Sequence, residues 1–313
     1  MRLFPCYHLP MTRLSFSTMW AQQERFADLG RFRSAVAAMG YDAIEVSHST
    51  DEAGLNVLLS YGDIPISSLH APAPRRALPD GRHNGDANLA ALDEAERRVA
   101  LAETKRTIDF AARGAFSVVV HLGGVGGKMT ALEERLRLLC SAKEAESAEA
   151  AGLREELRRW RAANAGPHLE AARRSLRELV EYAAPRRVAL GAESRLNYHE
   201  IPHPQEALDL LSDYEPAVAG YWHDVGHCEV QARLGLIDRY AWLPLLAGRT
   251  IGAHLHDVDG LSDHRAPGNG DVDWSYIAAG LPKSALRVLE IDQRQPDDKV
   301  AAAIGFLREK GVA

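Results

Sequence analysis

Cysteine is scarce in this chain. Its 313 residues include only three cysteines, Cys6, Cys140 and Cys228, which are far apart and form no C-x-x-C pair. An odd number of widely spaced cysteines argues against a disulfide framework and against a thiolate metal site. The sequence suits a reducing compartment, and we expect a cytoplasmic protein.

Long apolar runs and an excess of basic charge are also missing. No apolar stretch approaches the ~20 residues that span a bilayer, and the first twenty residues lack the apolar run and cleavage site of a signal peptide. The formal net charge is −6, whereas coating nucleic acid by charge requires a basic face. We therefore expect neither a membrane nor a nucleic-acid partner. Met11 is a candidate start, which would make residues 1–10 a loose N-terminal extension.

Short β-rich runs alternate with longer helical runs along the chain. This alternation is typical of βα units on a parallel sheet, and eight runs suit an α/β fold of the (β/α)₈ TIM barrel type, which needs ~250 residues plus insertions. We expect a single domain over residues 1–313. The predicted strands are 13–16, 43–46, 64–69, 117–121, 188–193, 218–223, 250–255 and 286–291.

One segment departs from a minimal barrel. After the fourth predicted strand, residues 129–183 are rich in Ala, Glu, Arg and Leu, which predicts an extended, charged helical insertion. We expect two helices there, the first mostly solvated, with a break at 164–167 (Asn-Ala-Gly-Pro). The charges could form a partner surface, but pairs at i,i+4 on an outer helix account for them better. The other predicted helices are 24–38, 89–112 and 300–309.

Nearly every predicted strand ends in a residue that can bind a metal or move a proton. The C-terminal strand ends of a barrel converge on one mouth, where crowded carboxylates and imidazoles need a cation to organise them. Oxygen and imidazole ligands without cysteine suit Mn²⁺, Mg²⁺, Co²⁺ or Zn²⁺ and do not choose among them. The residues are Glu45, His48, His70, His121, Glu193, His223, Asp224, His227, His254, His256, Asp257 and Glu290.

Each of these residues also has a plain structural interpretation. A lone histidine at a strand end is more often a hydrogen-bonded structural residue than a ligand, and Glu45 could simply pair with an arginine. His223 and His227 have the i,i+4 spacing of a helical metal pair, but a strand end and a glycine separate them. It is the recurrence at eight strand ends that predicts a divalent-metal site.

Four segments carry a resemblance to a known family. They are GAESRLNYHEIP (191–202), HDVGH (223–227), HLHDVDGLSDHRAPGNGDVDW (254–274) and VLEI (288–291). Together they resemble the xylose isomerase-like TIM barrels, a superfamily of sugar isomerases, ketose 3-epimerases, inosose dehydratases and apurinic-site endonucleases. The resemblance covers nearly the whole chain and implies a homodimer or homotetramer.

The resemblance implies a metal site of Glu193, Asp224, His254 and Glu290. His256 is the rival at the seventh strand, since residues two apart in a strand face the same side. Glu193 and Glu290 would also act as acid and base, moving a proton through an enediolate that the metal stabilises. The function implied is a metal-dependent isomerase or epimerase of a small sugar, sugar phosphate or related polyol or keto acid.

Further residues are candidates for substrate binding or for additional metal. They are His70, His121, His227, His256, His264, Arg265, Arg195 and Glu45. Several of them also have counterparts in the zinc-dependent apurinic-site endonucleases, phosphodiesterases with three zinc ions, which form the second functional hypothesis. Ser262 stands where that pattern has Asp, so a third zinc would lose a ligand. A non-catalytic metal- or ligand-binding barrel is the third hypothesis.

Overall fold

The strands form a closed parallel barrel. The computed structural model describes residues 14–60, 62, 64–115 and 117–313. The barrel strands are β1 Leu14–Ser17, β2 Ala43–Val46, β3 Ile66–His70, β4 Ser117–Val120, β5 Ala189–Glu193, β6 Ala219–Asp224, β7 Thr250–Leu255 and β10 Leu286–Leu289. Their order around the barrel is β1-β10-β7-β6-β5-β4-β3-β2. The predicted (β/α)₈ barrel is confirmed, with no strand end shifted by more than two residues. The extension expected over 1–10 lies outside the described residues, as does position 13 of the first predicted strand.

A small hairpin and the helices complete the fold. The strands β8 Asp257–Asp259 and β9 Ser262–Arg265 pair antiparallel directly after β7. The helices are α1 Leu29–Met39, α2 Glu52–Ser60, α3 Glu94–Ala111, α4 Met129–Ser141, α5 Ala148–Ala183, α6 Pro204–Leu211, α7 Val225–Arg233, α8 Leu243–Leu246, α9 Trp274–Gly280 and α10 Asp297–Glu309. Across the described ranges, no helix combines the length and the apolar character needed to cross a membrane.

Two helices begin later than predicted. The predicted helix over 24–38 is divided, because Glu24–Phe26 is a 3₁₀ turn and α1 begins only after Asp28. The helix predicted over 89–112 begins after Asp93. Each aspartate side chain accepts backbone N–H groups of the first helical turn, and this capping fixes the helix start.

The predicted charged insertion is α4 and α5, but the predicted break at 164–167 is wrong. Helix α5 runs for 36 residues and continues through Pro167. Buried side chains lie on both sides of the proline, and their packing outweighs the one backbone hydrogen bond that proline removes. The break comes earlier, at Lys143, whose φ is 64°, and Ser147 then caps α5. Helix α4 buries four of its 13 residues, as expected of a mostly solvated helix.

One indole packs inside the barrel below the mouth. Trp222 is fully buried and packs with the strand residues Val119 and Val288. A Cβ atom added at Gly191 would lie 2.8 Å from the Trp222 ring, and one added at Gly252 would lie 2.2 Å from it. Because alternate strand residues face the interior, the residue two positions after each glycine points into the mouth above the indole.

Candidate metal centre

Four side chains converge at the mouth of the barrel. Glu193, Asp224, His254 and Glu290 each offer one ligand atom, and these atoms all lie within 4.8 Å of one another. None of the four residues is more than 1% exposed. We call them the inner group. The structure thus brings together the four residues that the resemblance implied as metal ligands.

His254 lies at the centre of the inner group. Its Nδ1 is 2.6 Å from Glu193 Oε1 and 3.2 Å from Glu290 Oε2. Its Nε2 donates to Glu45 Oε1 over 3.0 Å, and Ser68 donates to the other oxygen of Glu45 over 2.7 Å. A carboxylate on the outer nitrogen of a histidine holds the ring so that the inner nitrogen faces the metal. Glu45 therefore contacts His254, and no arginine in the described part of the chain is paired with it.

This contact gives a direct test of Glu45. We expect Glu45→Gln to weaken Mn²⁺ binding by about 10- to 100-fold, because a neutral amide supports the basicity of His254 less than a carboxylate does. Titration with Mn²⁺, followed by electron paramagnetic resonance, measures the effect. Glu309→Gln, at an exposed position of α10, is the matched control. An unchanged affinity in Glu45→Gln would remove Glu45 from the site.

The charges of the mouth fit a divalent cation. Burial alone would raise the pKa of Glu193, but His70, His254 and Arg195 hold it well below its ordinary value. Burial would likewise lower the pKa of His70, yet Glu193 and Glu290 raise it to about 9. Histidines whose pKa values rise despite burial report an excess of negative charge around them. A divalent cation would offset this charge, so the residues present fit a metal.

The rival ligand His256 has a different hydrogen-bond pattern. Its Nδ1 accepts the backbone N–H of His264 over 2.8 Å, and its Nε2 lies 3.0 Å from Asp224 Oδ1. A neutral imidazole that accepts at Nδ1 carries its proton on Nε2, so His256 donates to Asp224. This geometry favours His254 as the ligand and leaves His256 to orient Asp224.

A second group lies on the other side of Glu193 and consists of His70, His121 and Glu193. His121 Nε2 is 2.8 Å from Glu193 Oε2 and 2.5 Å from His70 Nε2. The same carboxylate oxygen accepts a hydrogen bond from Arg195 Nη1. Charges of one sign repel each other at short range. Arg195 therefore disfavours a further cation here.

A third group lies further out. It consists of Asp224, His227, His256 and His264. His227 donates from Nδ1 to the backbone oxygen of Ser194 over 3.0 Å, which leaves its Nε2 available. His264 Nδ1 lies 3.2 Å from Asp263, and its buried Nε2 has no hydrogen-bond partner among the described residues. Both rings are oriented as second-sphere partners orient metal-binding histidines.

Arg265 and His223, which the sequence singled out, lie away from these groups. Arg265 in β9 donates to the backbone oxygen of Asn269 over 3.2 Å, and its side chain is 33% exposed. His223 pairs through Nδ1 with the Tyr221 hydroxyl over 2.8 Å and belongs to none of the groups of ligand atoms among the described residues. His223 and His227 therefore form no helical metal pair, in agreement with the interpretation of their spacing.

Two residues beside the site, Glu200 and Ser194, have no predicted role. Glu200 lies 3.0 Å from Arg195, and Ser194 Oγ accepts the backbone N–H of Asp224 over 2.9 Å. Both belong to the segment 191–202 that carries the resemblance, so their position was the available signal. Their partners come from tertiary contacts that spacing alone does not predict.

The chain matches one protein family over most of its length. It matches the family model of the xylose isomerase-like TIM barrels over residues 33–310, and the chain belongs to this family, as its motifs implied. No curated protein matches the chain significantly.

Solved structures share the fold at low sequence identity. D-psicose 3-epimerase from Clostridium cellulolyticum H10 has a TM-score of 0.67 and 15% identity, covering 96% of this chain and 100% of its own. The 3-keto-D-glucoside 4-epimerase of E. coli has a TM-score of 0.59 and 16% identity, covering 95% and 99%. A Thermus thermophilus protein soaked with ZnCl₂ has a TM-score of 0.54 and 19% identity, covering 96% and 98%. At such identities these likenesses show the fold.

Proposed function

We propose that this chain is a divalent-metal-dependent isomerase or epimerase acting on a small sugar, sugar phosphate or related polyol or keto acid. The observation that carries the proposal is the inner group, in which Glu193 and Glu290 approach one imidazole nitrogen of His254 over 2.6 Å and 3.2 Å. Two buried carboxylates beside one metal position can act as base and acid in proton transfer at a carbon next to a carbonyl group. The similar fold of two sugar epimerases supports the same class.

A cation would be held by Glu193, Asp224, His254 and Glu290. When bound, it would supply positive charge against the negative charge that develops on the substrate oxygens. Mn²⁺, Mg²⁺, Co²⁺ and Zn²⁺ all suit this set of oxygen and nitrogen ligands.

Glu193 and Glu290 act as the two bases in this proposal. One carboxylate removes the proton from the carbon beside the carbonyl, and the C–H electron pair moves into the new carbon–carbon double bond of an enediolate. The other residue, in its protonated form, delivers its proton to the opposite face of that carbon and becomes a carboxylate, which gives epimerisation. Delivery of a proton to the neighbouring carbon gives isomerisation.

The second group forms the substrate side of the mouth. The side chain of His121 is 26% exposed, whereas those of His70 and Glu193 are at most 2% exposed. Arg195, 12% exposed, holds a positive charge beside them. We assign His121 and Arg195 to the binding of substrate hydroxyl or acidic groups.

A zinc-dependent phosphodiesterase resembling the apurinic-site endonucleases is the second candidate. It is favoured by adjoining groups of ligand atoms, since the inner group shares Glu193 with the second group and Asp224 with the third. Two observations weigh against it. Arg195 already forms an ion pair with Glu193, which disfavours a second cation beside that carboxylate. Ser262 in β9 is exposed and is not a member of the third group.

Metal content and two assays separate the candidates. We expect about one ion per chain, deuterium exchange from solvent into at least one member of a ketose and sugar-phosphate panel, and no incision of abasic-site DNA. Elemental analysis of the purified protein, nuclear magnetic resonance in D₂O and gel electrophoresis of the DNA make the measurements. Three ions per chain together with incision that a chelator abolishes would replace the isomerase by the phosphodiesterase. Bound metal without either activity would favour a binding protein.

A further inference from the structure

The charged insertion reaches one loop of the mouth with three side chains. Arg161 of α5 donates from Nε to the backbone oxygen of Tyr198 over 2.8 Å, and from Nη2 to that of Glu200 over 2.9 Å. Glu133 of α4 accepts the backbone N–H of Tyr198 and a ring N–H of His199. These contacts fix the backbone between β5 and α6 from two helices at once.

A third contact comes from the same insertion. Arg137 Nη2 donates to the backbone oxygen of Leu196 over 3.1 Å and to the side-chain oxygen of Asn197 over 3.2 Å. Glu133 is 2% exposed and Arg161 is 4% exposed. Buried charges are costly unless they are paired. Glu133 is paired with polar groups of this loop, whereas Arg161 also forms an ion pair with Glu206 of α6.

The loop connects the insertion to the inner group through Glu200 and Arg195. Glu200 accepts from Arg195 Nε over 3.1 Å, and its other oxygen accepts the backbone and side-chain N–H groups of Asn197 over 2.9 Å. Arg195 Nη1 donates to Glu193 Oε2, which turns Glu193 Oε1 towards His254 at 2.6 Å. An unbroken series of polar contacts therefore joins the insertion to Glu193.

We propose that α4 and α5 act as a clamp on the loop after β5, and that Glu133, Arg137 and Arg161 are positioning residues that hold Arg195 on Glu193. The clamp fixes which oxygen of Glu193 faces the metal position. The inference rests on the metal centre of the proposed function, but not on the sugar reaction.

Co²⁺ reports the geometry of the site without any substrate. We expect Arg161→Met to change the visible spectrum of the Co²⁺-loaded protein and to weaken Co²⁺ binding by about tenfold, because a mobile Glu193 must be ordered again when the ion binds. Arg159→Met is the matched control, since Arg159 is two positions away on α5 with a 72% exposed side chain. Arg137→Met is the second variant, in case loss of the buried Arg161 prevents folding.

A double-mutant cycle separates positioning from a general structural role. In a background of Arg195→Gln, we expect Arg161→Met or Arg137→Met to alter Co²⁺ affinity by less than about twofold, because the effect passes through Arg195. Equal effects with and without Arg195, or spectra unchanged in both single variants, would overturn the clamp. A wild-type protein with no Co²⁺ spectrum would overturn the clamp and the metal centre together. Intact coupling without turnover of any sugar would overturn only the proposed function.

Discussion

Glu290→Gln is expected to lower the turnover of any accepted sugar by at least about 10³-fold while the barrel stays folded. A positioned acid or base contributes about 10²- to 10⁴-fold, and the amide can neither take nor return a proton. Glutamine keeps the size of the side chain and one acceptor oxygen for His254. The loss should therefore appear in kcat measured on saturating substrate, while circular dichroism shows that the variant is folded.

Glu193→Gln is the paired variant, and the two should fail differently. The proposed mechanism places two bases on opposite sides of the substrate, so each variant keeps one base that can exchange a proton on one face. We expect residual deuterium exchange into one epimer with Glu193→Gln and into the other with Glu290→Gln, measured by nuclear magnetic resonance in D₂O. Metal content measured in parallel separates loss of the base from loss of the ion. A fully active variant at either position would remove that residue from the mechanism.

His254→Ala should affect both metal binding and stability. His254 Nδ1 faces Glu193, Asp224 and Glu290 at 2.6, 3.5 and 3.2 Å, and all four residues are buried. Removing one partner from buried ionic contacts destabilises a protein by about 3–5 kcal/mol. We expect a loss of that order in the free energy of unfolding, measured in urea, together with loss of bound metal.

Chelation provides the comparison for this variant. An ion at 100 times its dissociation constant stabilises the folded state by about 2.7 kcal/mol, so a chelator should destabilise the parent protein and leave His254→Ala unaffected. His83→Ala, at an exposed histidine, is the control and should keep both responses. If His254→Ala retained its metal, His256 would become the ligand of the seventh barrel strand.

The strands and the inner group were predictable because both depend on local patterns. A parallel strand that is buried on both faces is a nearly continuous apolar run, so a polar residue such as Glu193 or Glu290 at its end stands out. The barrel then brings such ends to one mouth whatever the sequence separation between them. The resemblance added which of the two histidines in His254-Leu255-His256 to prefer, and the hydrogen bonds of His256 favour the same choice.

The loops and the insertion were not predictable in this way. Pro167 is a strong local signal for a helix end, but packing on both sides of it keeps α5 continuous. The sequence does not identify the hydrogen-bond partners of Glu45 and Arg195. Folding brings these two residues into contact with His254 and Glu200, respectively. Buried charges such as Glu133 and Arg161 look, in sequence, like the solvated charges around them.

The packing of the Trp222 indole couples the choice of residue at positions 191, 222 and 252. Trp222 occupies the space that side chains at 191 and 252 would need, so a relative that replaces the tryptophan with a smaller residue gains room at the positions of those two glycines. Substitutions at the three positions should therefore co-vary among the members of the family. A relative that kept both glycines but lost the indole would have a deeper barrel mouth. That mouth would accommodate a larger molecule.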